Sequence, residues 1–133
     1  MSEKFNFVLP GKPEYIPIVR FSMNTAASEA GFDLEEIDDI STAVGEACQL
    51  IFCHMMEGYS KEYSVECETE PGRITVRVTN DVKELTEKTD RRCLDCPNEG
   101  ELGMILIKTL MDEADILCEE DGQKTITMVK TKK

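Results

Sequence analysis

The chain has 133 residues, of which 41% are apolar and 32% charged, and its formal net charge is -12. This length supports one hydrophobic core, so we expect residues 1–133 to form a single domain. The acidic surface argues against nucleic acid or an anionic membrane as partners and is compatible with a basic protein partner. Because no signal-peptide pattern or membrane-spanning apolar run is present, we expect a cytoplasmic protein with reduced cysteines.

The first part of the chain predicts one strand followed by two helices. Apolar and polar side chains alternate over residues 4–9, which is typical of a strand with one buried face. Apolar residues at helical spacing predict a first helix within 13–31 and a second within 33–56. Asp33 and Glu36 have the spacing of a capping box, which places the start of the second helix.

The second part of the chain predicts two hairpins separated by a loop and a helix. Apolar and polar residues alternate over 62–79, with a break at Pro71-Gly72, which predicts the first hairpin. The same alternation over 116–128 predicts the second hairpin. The polar segment 81–99 predicts a long connection, either a mobile loop or a loop with a frayed helical turn. Apolar spacing predicts a third helix over 100–113. We therefore expect an α+β fold, a two-layer sandwich whose mostly antiparallel sheet is covered by helices on one face.

Several short motifs follow one another along these elements. They are Phe32-Asp33 before Glu36-Ile37, Ala43 to Cys48, His54, Ile74 to Asn80, Glu99 to Gly103, and Leu110 to Glu113. In this order they resemble the Bergerat-fold (GHKL, histidine kinase-like) ATPases, specifically the bacterial anti-sigma-factor serine-protein kinases. The resemblance covers nearly the whole chain. It implies ATP and magnesium as cofactors and a sigma factor or an STAS-domain antagonist as partner, and homodimers are common in that family.

Glu46 and Leu50 lie four residues apart on the second predicted helix, so both side chains point to the same face. In the family this pair is a glutamate that acts as catalytic base and an asparagine that coordinates magnesium. Glu46 matches the base, but Leu50 has no oxygen to offer a magnesium ion. The alternative interpretation is that Glu46 is a polar neighbour of the apolar stripe and that Leu50 is ordinary packing.

Asn80, Asp81 and Val82 occupy the place of a second family motif, Asp-x-Gly, whose aspartate accepts a hydrogen bond from the adenine amino group. Asn80 can accept that bond through its amide oxygen, but without charge assistance. A β-branched valine in place of the glycine should crowd the base. The alternative is that Asn80 and Asp81 simply end a strand in a turn.

Gly100 and Gly103 match a third family motif, in which free amides at the start of a helix bind phosphates. Glu99 and Glu101 flank them with negative charge, which opposes a polyphosphate. The alternative is a helix start with an acidic first turn, which the helix dipole favours without any ligand.

Cys93 and Cys96 form a Cys-x-x-Cys pair within the predicted loop, which suggests a zinc or thiol site. One pair supplies only two of the four ligands of a structural zinc. The other candidates, His54, Cys67 and Cys118, come from elements that we expect to be core.

Three hypotheses follow. The first is an anti-sigma-factor-like regulator, a pseudokinase that binds a protein partner and has weak or lost ATP binding. The second is an active serine-protein kinase that phosphorylates an STAS-domain antagonist, with Glu46 as base. The third is a zinc or thiol sensor that uses Cys93 and Cys96.

Overall fold

The computed structural model describes residues 2–53, 62–80, 96–118 and 123–132, and it places the side chains of these residues except those of 52–53, 96–102 and 118. Five strands and three helices lie within these described ranges. In chain order they are β1 (Glu3–Pro10), α1 (Ile16–Glu29, after a 3-10 turn at Pro13–Tyr15), α2 (Leu34–Cys53), β2 (Glu62–Glu70), β3 (Arg73–Asn80), α3 (Cys96–Leu110), β4 (Glu113–Cys118) and β5 (Lys124–Thr131).

The five strands form one sheet in the order β1-β2-β3-β5-β4, and every neighbouring pair is antiparallel. Alternate residues of β2 and β3 are buried, as expected for strands with one covered face. Buried side chains of α2, including Ile40 and Val44, belong to the same hydrophobic core as Val65, Val76 and Met128 of the sheet. The expected two-layer α+β sandwich is therefore confirmed.

Local hydrogen bonds start α2 where the capping box predicts. The Asp33 carboxylate accepts a hydrogen bond from the Glu36 amide at 2.8 Å, and the Glu36 carboxylate accepts one from the Asp33 amide at 3.1 Å. This reciprocal pair satisfies two amides that have no partner within the helix. In the β2–β3 turn, Gly72 has a φ of +78°, a conformation that side chains other than glycine rarely adopt.

The predicted bounds of the third helix, 100–113, are wrong at both ends. The helix begins at Cys96, where Pro97 suits the first turn because its fixed φ is already helical. It ends at Leu110, because the Asp112 amide donates to the Val129 carbonyl at 2.9 Å and Glu113 pairs with Val129 in the sheet. Residues 96–99, assigned to the loop from the sequence, therefore belong to α3.

None of the helices in the described part of the chain is both long and apolar enough to span a membrane.

Candidate functional site

The middle of α2 lies between the two other helices. Gly45 faces α1: a Cβ at this position would lie 3.3 Å from the Arg20 Cγ and Cδ atoms and 3.6 Å from Ile16 Cγ2. Glu46 and Leu50, both half-buried, lie on the side of α2 that contacts α3. The two residues of α2 that correspond to the family's base and metal ligand therefore face α3.

Gly103 is the closest point of α3 to this side of α2. A Cβ at Gly103 would lie 2.9 Å from Glu46 Oε2 and 3.0 and 3.1 Å from the two Cδ atoms of Leu50. Real side chains essentially never approach a Cβ closer than 3.0 Å, so only glycine fits here without a shift. The structure therefore brings together three positions that the motifs singled out separately, Glu46, Leu50 and Gly103.

The chemistry of this contact is mainly that of packing. Leu50 adds methyl groups to the edge of the hydrophobic core, where the family motif has an oxygen ligand. Magnesium requires oxygen ligands in near-octahedral geometry, so the residues at this position do not fit the metal. Among the side chains that the structure describes, no group of three or more His, Cys, Asp or Glu residues could hold a metal ion.

The glycines of the third motif lie inside α3 instead of at its start. In an α-helix that begins at Cys96, the amides without an intrahelical acceptor lie in the first turn, where Pro97 has no N–H at all. Gly100 and Gly103 follow this turn, so their amides belong to the regular helical ladder. The expectation that these two residues form the helix start is corrected by the longer helix.

Asn80 ends β3 and is buried. Its side-chain oxygen accepts a hydrogen bond from the Lys124 amide at 2.7 Å, which ties the end of β3 to the first residue of β5. This is the oxygen that the resemblance assigns to adenine. In this structure the oxygen serves the sheet, a role that the sequence did not indicate. Asp81 and Val82 lie outside the described residues.

The cysteine hypothesis concerns residues of which the structure says little. Cys93, His54 and the side chains of Cys96 and Cys118 lie outside the described part of the chain. Cys48 and Cys67 are buried free thiols, as expected for small core residues. Burial raises the pKa of each thiol to about 12, and for Cys48 a hydrogen bond with the Tyr63 side chain partly opposes this effect.

These raised pKa values predict a loss of stability in alkaline solution. In the unfolded chain both thiols ionise from about pH 9, whereas in the folded protein they keep their protons to about pH 12. Stability is thus fully present below pH 9 and falls as pH rises through this window, by up to about 1.4 kcal/mol per thiol at pH 10. Urea unfolding between pH 8 and pH 10 in reductant measures the decrease.

The matched comparison for alkaline unfolding is a Cys48→Ala, Cys67→Ala variant. It should be less stable at pH 8 but lose less stability per pH unit above pH 9. Equal pH slopes for the two proteins would show that these thiols do not cause the decrease.

Lys130, which was not predicted from the sequence, links the sheet to α2 and α3. Lys130 is 6% exposed, its Nζ atom donates to the Leu110 carbonyl at 2.6 Å, and it lies 3.7 Å from Asp39 Oδ2. It thus joins β5 to the end of α3 and to α2. The sequence did contain a signal that Lys130 is buried. Ile126 and Met128 point inward, and the period of 2 along a strand makes position 130 point inward as well.

Comparison with known proteins places these features in a family. Residues 9–130 match the model of a family described as the histidine kinase-like ATPase domain. Two similar proteins are each named serine-protein kinase RsbW. One, from Listeria innocua, is 32% identical over 96% of this chain and 87% of its own length. The other, from Bacillus licheniformis, is 32% identical over 91% of this chain and 81% of its own length.

Solved structures agree on the fold. The RsbU and RsbW domains of a Mycobacterium tuberculosis protein superpose with a TM-score of 0.70 and 20% identity, over 97% of this chain and 32% of that one. The SiaB–SiaC complex from Pseudomonas aeruginosa gives a TM-score of 0.61 and 18% identity, over 95% of this chain and 88% of the matched chain.

Proposed function

The chain belongs to the histidine kinase-like ATPase domain family, and on this basis we propose that it is an anti-sigma-factor-like regulator of bacterial transcription. In this proposal the single domain acts in the cytoplasm and binds a sigma factor or an STAS-domain antagonist, as a monomer or a homodimer. Its binding of ATP and magnesium is weak or lost, and it transfers phosphate inefficiently or not at all. Similarity to the RsbW serine-protein kinases supports the partner class.

The observation that carries the proposed loss of catalysis is the contact of Leu50 with α3. The Cδ atoms of Leu50 lie 3.0 and 3.1 Å from the Cβ position of Gly103. This supports the proposal, because the resemblance assigns the position of Leu50 to the family's metal ligand and a leucine offers only methyl groups there. ATP without bound magnesium carries more negative charge, and a chain of net charge -12 is a poor receptor for it. The fold and the close approach of Gly103 to α2 persist, which is the pattern expected of a retained binding surface.

Calorimetric titration of ATP, with and without magnesium, tests the proposal. We expect no magnesium-dependent binding at micromolar ATP, together with ATP-independent binding of an STAS-domain antagonist or sigma factor from the same organism. Micromolar magnesium-dependent binding, or transfer of radiolabelled phosphate to an antagonist serine, would contradict the loss of catalysis.

A second experiment introduces the family residues at the two positions where this chain departs from the motifs. In a Leu50→Asn, Val82→Gly variant we expect ATP affinity to rise by roughly tenfold, which corresponds to about 1.4 kcal/mol of binding free energy. Glu46→Gln in the same background should leave that affinity unchanged, since the glutamate is assigned to proton transfer and not to metal binding. No gain in the double variant would mean that these two positions do not account for the weak binding.

The second candidate function is an active serine-protein kinase with Glu46 as base. One observation favours it: Glu46 lies next to Gly103, so two residues that match family motifs are close together in the structure. In that case a Glu46→Gln substitution in the otherwise unchanged protein abolishes phosphate transfer and leaves antagonist binding intact. The zinc or thiol sensor remains a hypothesis on Cys93 and Cys96, and stoichiometric zinc in protein purified without chelator is its test.

A further inference from the structure

β4 forms one edge of the sheet. It pairs with β5 from Glu113 to Cys118, and within the ranges that the structure describes its other edge pairs with no strand. The unpaired amides and carbonyls of an edge strand are a template on which another extended segment can pair. Native proteins usually protect such an edge, so the side chains along it indicate which segments it accepts or rejects.

The two rows of side chains on β4 differ in chemistry. Ala114 and Ile116 pair with the buried Met128 and Ile126, so they lie on the helix-covered face of the sheet. Glu113, Asp115 and Leu117 pair with Val129, Thr127 and Thr125 on the opposite face. This strand therefore presents an acidic row on its outer face and an apolar row on its inner face.

A groove of about 400 Å³ runs along β4 and β5. Its apolar part includes Leu117, which is 60% exposed, and Val129, which is 8% exposed. Its charged part consists of Glu113 and Asp115, both exposed, and neither forms an ion pair with another described residue. The groove thus combines an apolar surface with two negative charges that no described cation neutralises.

Charge decides between a second copy of this chain and a different partner. Antiparallel pairing of two β4 strands would place the carboxylates of both copies on one face, and like charges opposite each other destabilise a sheet. The net charge of -12 adds to the repulsion between copies. A segment with basic residues on its outer row instead pairs with Glu113 and Asp115.

We propose that the free edge of β4 is a docking site for an extended protein segment in which basic and apolar residues alternate. Backbone hydrogen bonds add the segment to the sheet as a sixth strand, next to the five described. Its basic side chains meet Glu113 and Asp115, and its apolar side chains meet Ala114 and Ile116. The site lies on a different surface from the α2–α3 contact and does not depend on nucleotide binding.

The probe is the acetylated, amidated peptide Lys-Val-Lys-Val-Lys, which presents the same pattern to β4 in parallel or antiparallel orientation. Titration into isotope-labelled protein should give saturable shifts of the backbone amides of residues 113–118. The peptide Lys-Lys-Lys-Val-Val, of the same composition but without alternation, and Glu-Val-Glu-Val-Glu should bind at least about fivefold more weakly. The affinity of the probe should also fall with added salt.

A Glu113→Lys, Asp115→Lys variant should bind the probe at least about fivefold more weakly than the unchanged protein does. The matched control is Glu3→Lys, Glu29→Lys, which changes the net charge equally away from β4 and should bind the probe nearly as the unchanged protein does. If the reversed variant does not fold, Glu113→Gln, Asp115→Asn tests the same charges with little change of shape.

Three results would overturn the proposal. One is the absence of shifts at 113–118 at millimolar probe, and another is equal binding of the non-alternating peptide. The third is concentration-dependent broadening of the β4 amides in protein alone, which would assign this edge to a second copy.

Discussion

Gly103→Val will destabilise the folded protein by about 1–3 kcal/mol, the usual range for overpacking a well-packed site. The added side chain begins at a Cβ position 2.9 Å from Glu46 Oε2 and 3.0 and 3.1 Å from the two Leu50 methyl carbons. The flexible Glu46 carboxylate can move aside at little cost, so the strain falls mainly on Leu50, which must shift to make room for the valine. Helix propensity alone predicts the opposite sign, because valine is a better helix former than glycine. The midpoint and slope of urea unfolding measure the effect.

Two further variants separate the contact from the helix itself. Thr109→Val keeps a β-branched residue at an exposed position of α3 and should change stability by less than about 0.5 kcal/mol. Leu50→Ala removes the methyl groups that the introduced valine would meet, so the double variant should be more stable than the sum of the single changes predicts. If Gly103→Val is no more harmful than Thr109→Val, the close contact is not a constraint in solution.

Lys130→Met is expected to destabilise the protein by about 1–3 kcal/mol, the range for leaving a buried polar group unsatisfied. Methionine keeps much of the length of the side chain but removes the donor at 2.6 Å from the Leu110 carbonyl and the charge at 3.7 Å from Asp39. Because the Asp39 side chain is partly exposed, water replaces part of the lost ion pair. Faster amide exchange in the last turn of α3 should accompany the loss.

Lys132→Met is the matched control for Lys130. The Lys132 Nζ atom donates to the Gly31 carbonyl at 2.7 Å, which is the same kind of bond, but Lys132 is exposed. Water can satisfy the Gly31 carbonyl after substitution, so we expect a loss below about 0.5 kcal/mol. Equal losses for the two variants would mean that burial does not make the Lys130 bond important.

Features set by neighbouring residues were predictable. The strands alternate as their sequences indicate, the turn at Pro71-Gly72 forms, and the Asp33 and Glu36 side chains cap α2. The third helix was misjudged because its C-terminal end depends on a hydrogen bond from Asp112 to Val129, which belongs to a distant strand. At its other end, Pro97 was a local signal for an earlier start that the prediction did not use.

The candidate site was likewise predictable only in part. Sequence motifs selected Glu46, Leu50 and Gly103, but they could not show that the missing Cβ of Gly103 lies against both α2 side chains. Nor could they show that the Asn80 oxygen bonds to the Lys124 amide, since the two residues are far apart in the chain. Spacing identifies which residues share a face of one element, whereas contacts between elements depend on how the whole chain packs.

The amino-acid sequence by itself determined the order of strands and helices, the buried face of each and the acidic character of the surface, because these depend on residue type and short periodicity. Its motifs also indicated the family. Only the tertiary structure decided that Leu50 packs on α3, that Lys130 joins α3 to the sheet, and that β4 leaves an acidic edge open among the described strands. The first two features join segments distant in the chain, and the third depends on the order of the strands in the sheet, so all three are set by how the whole chain packs around one core.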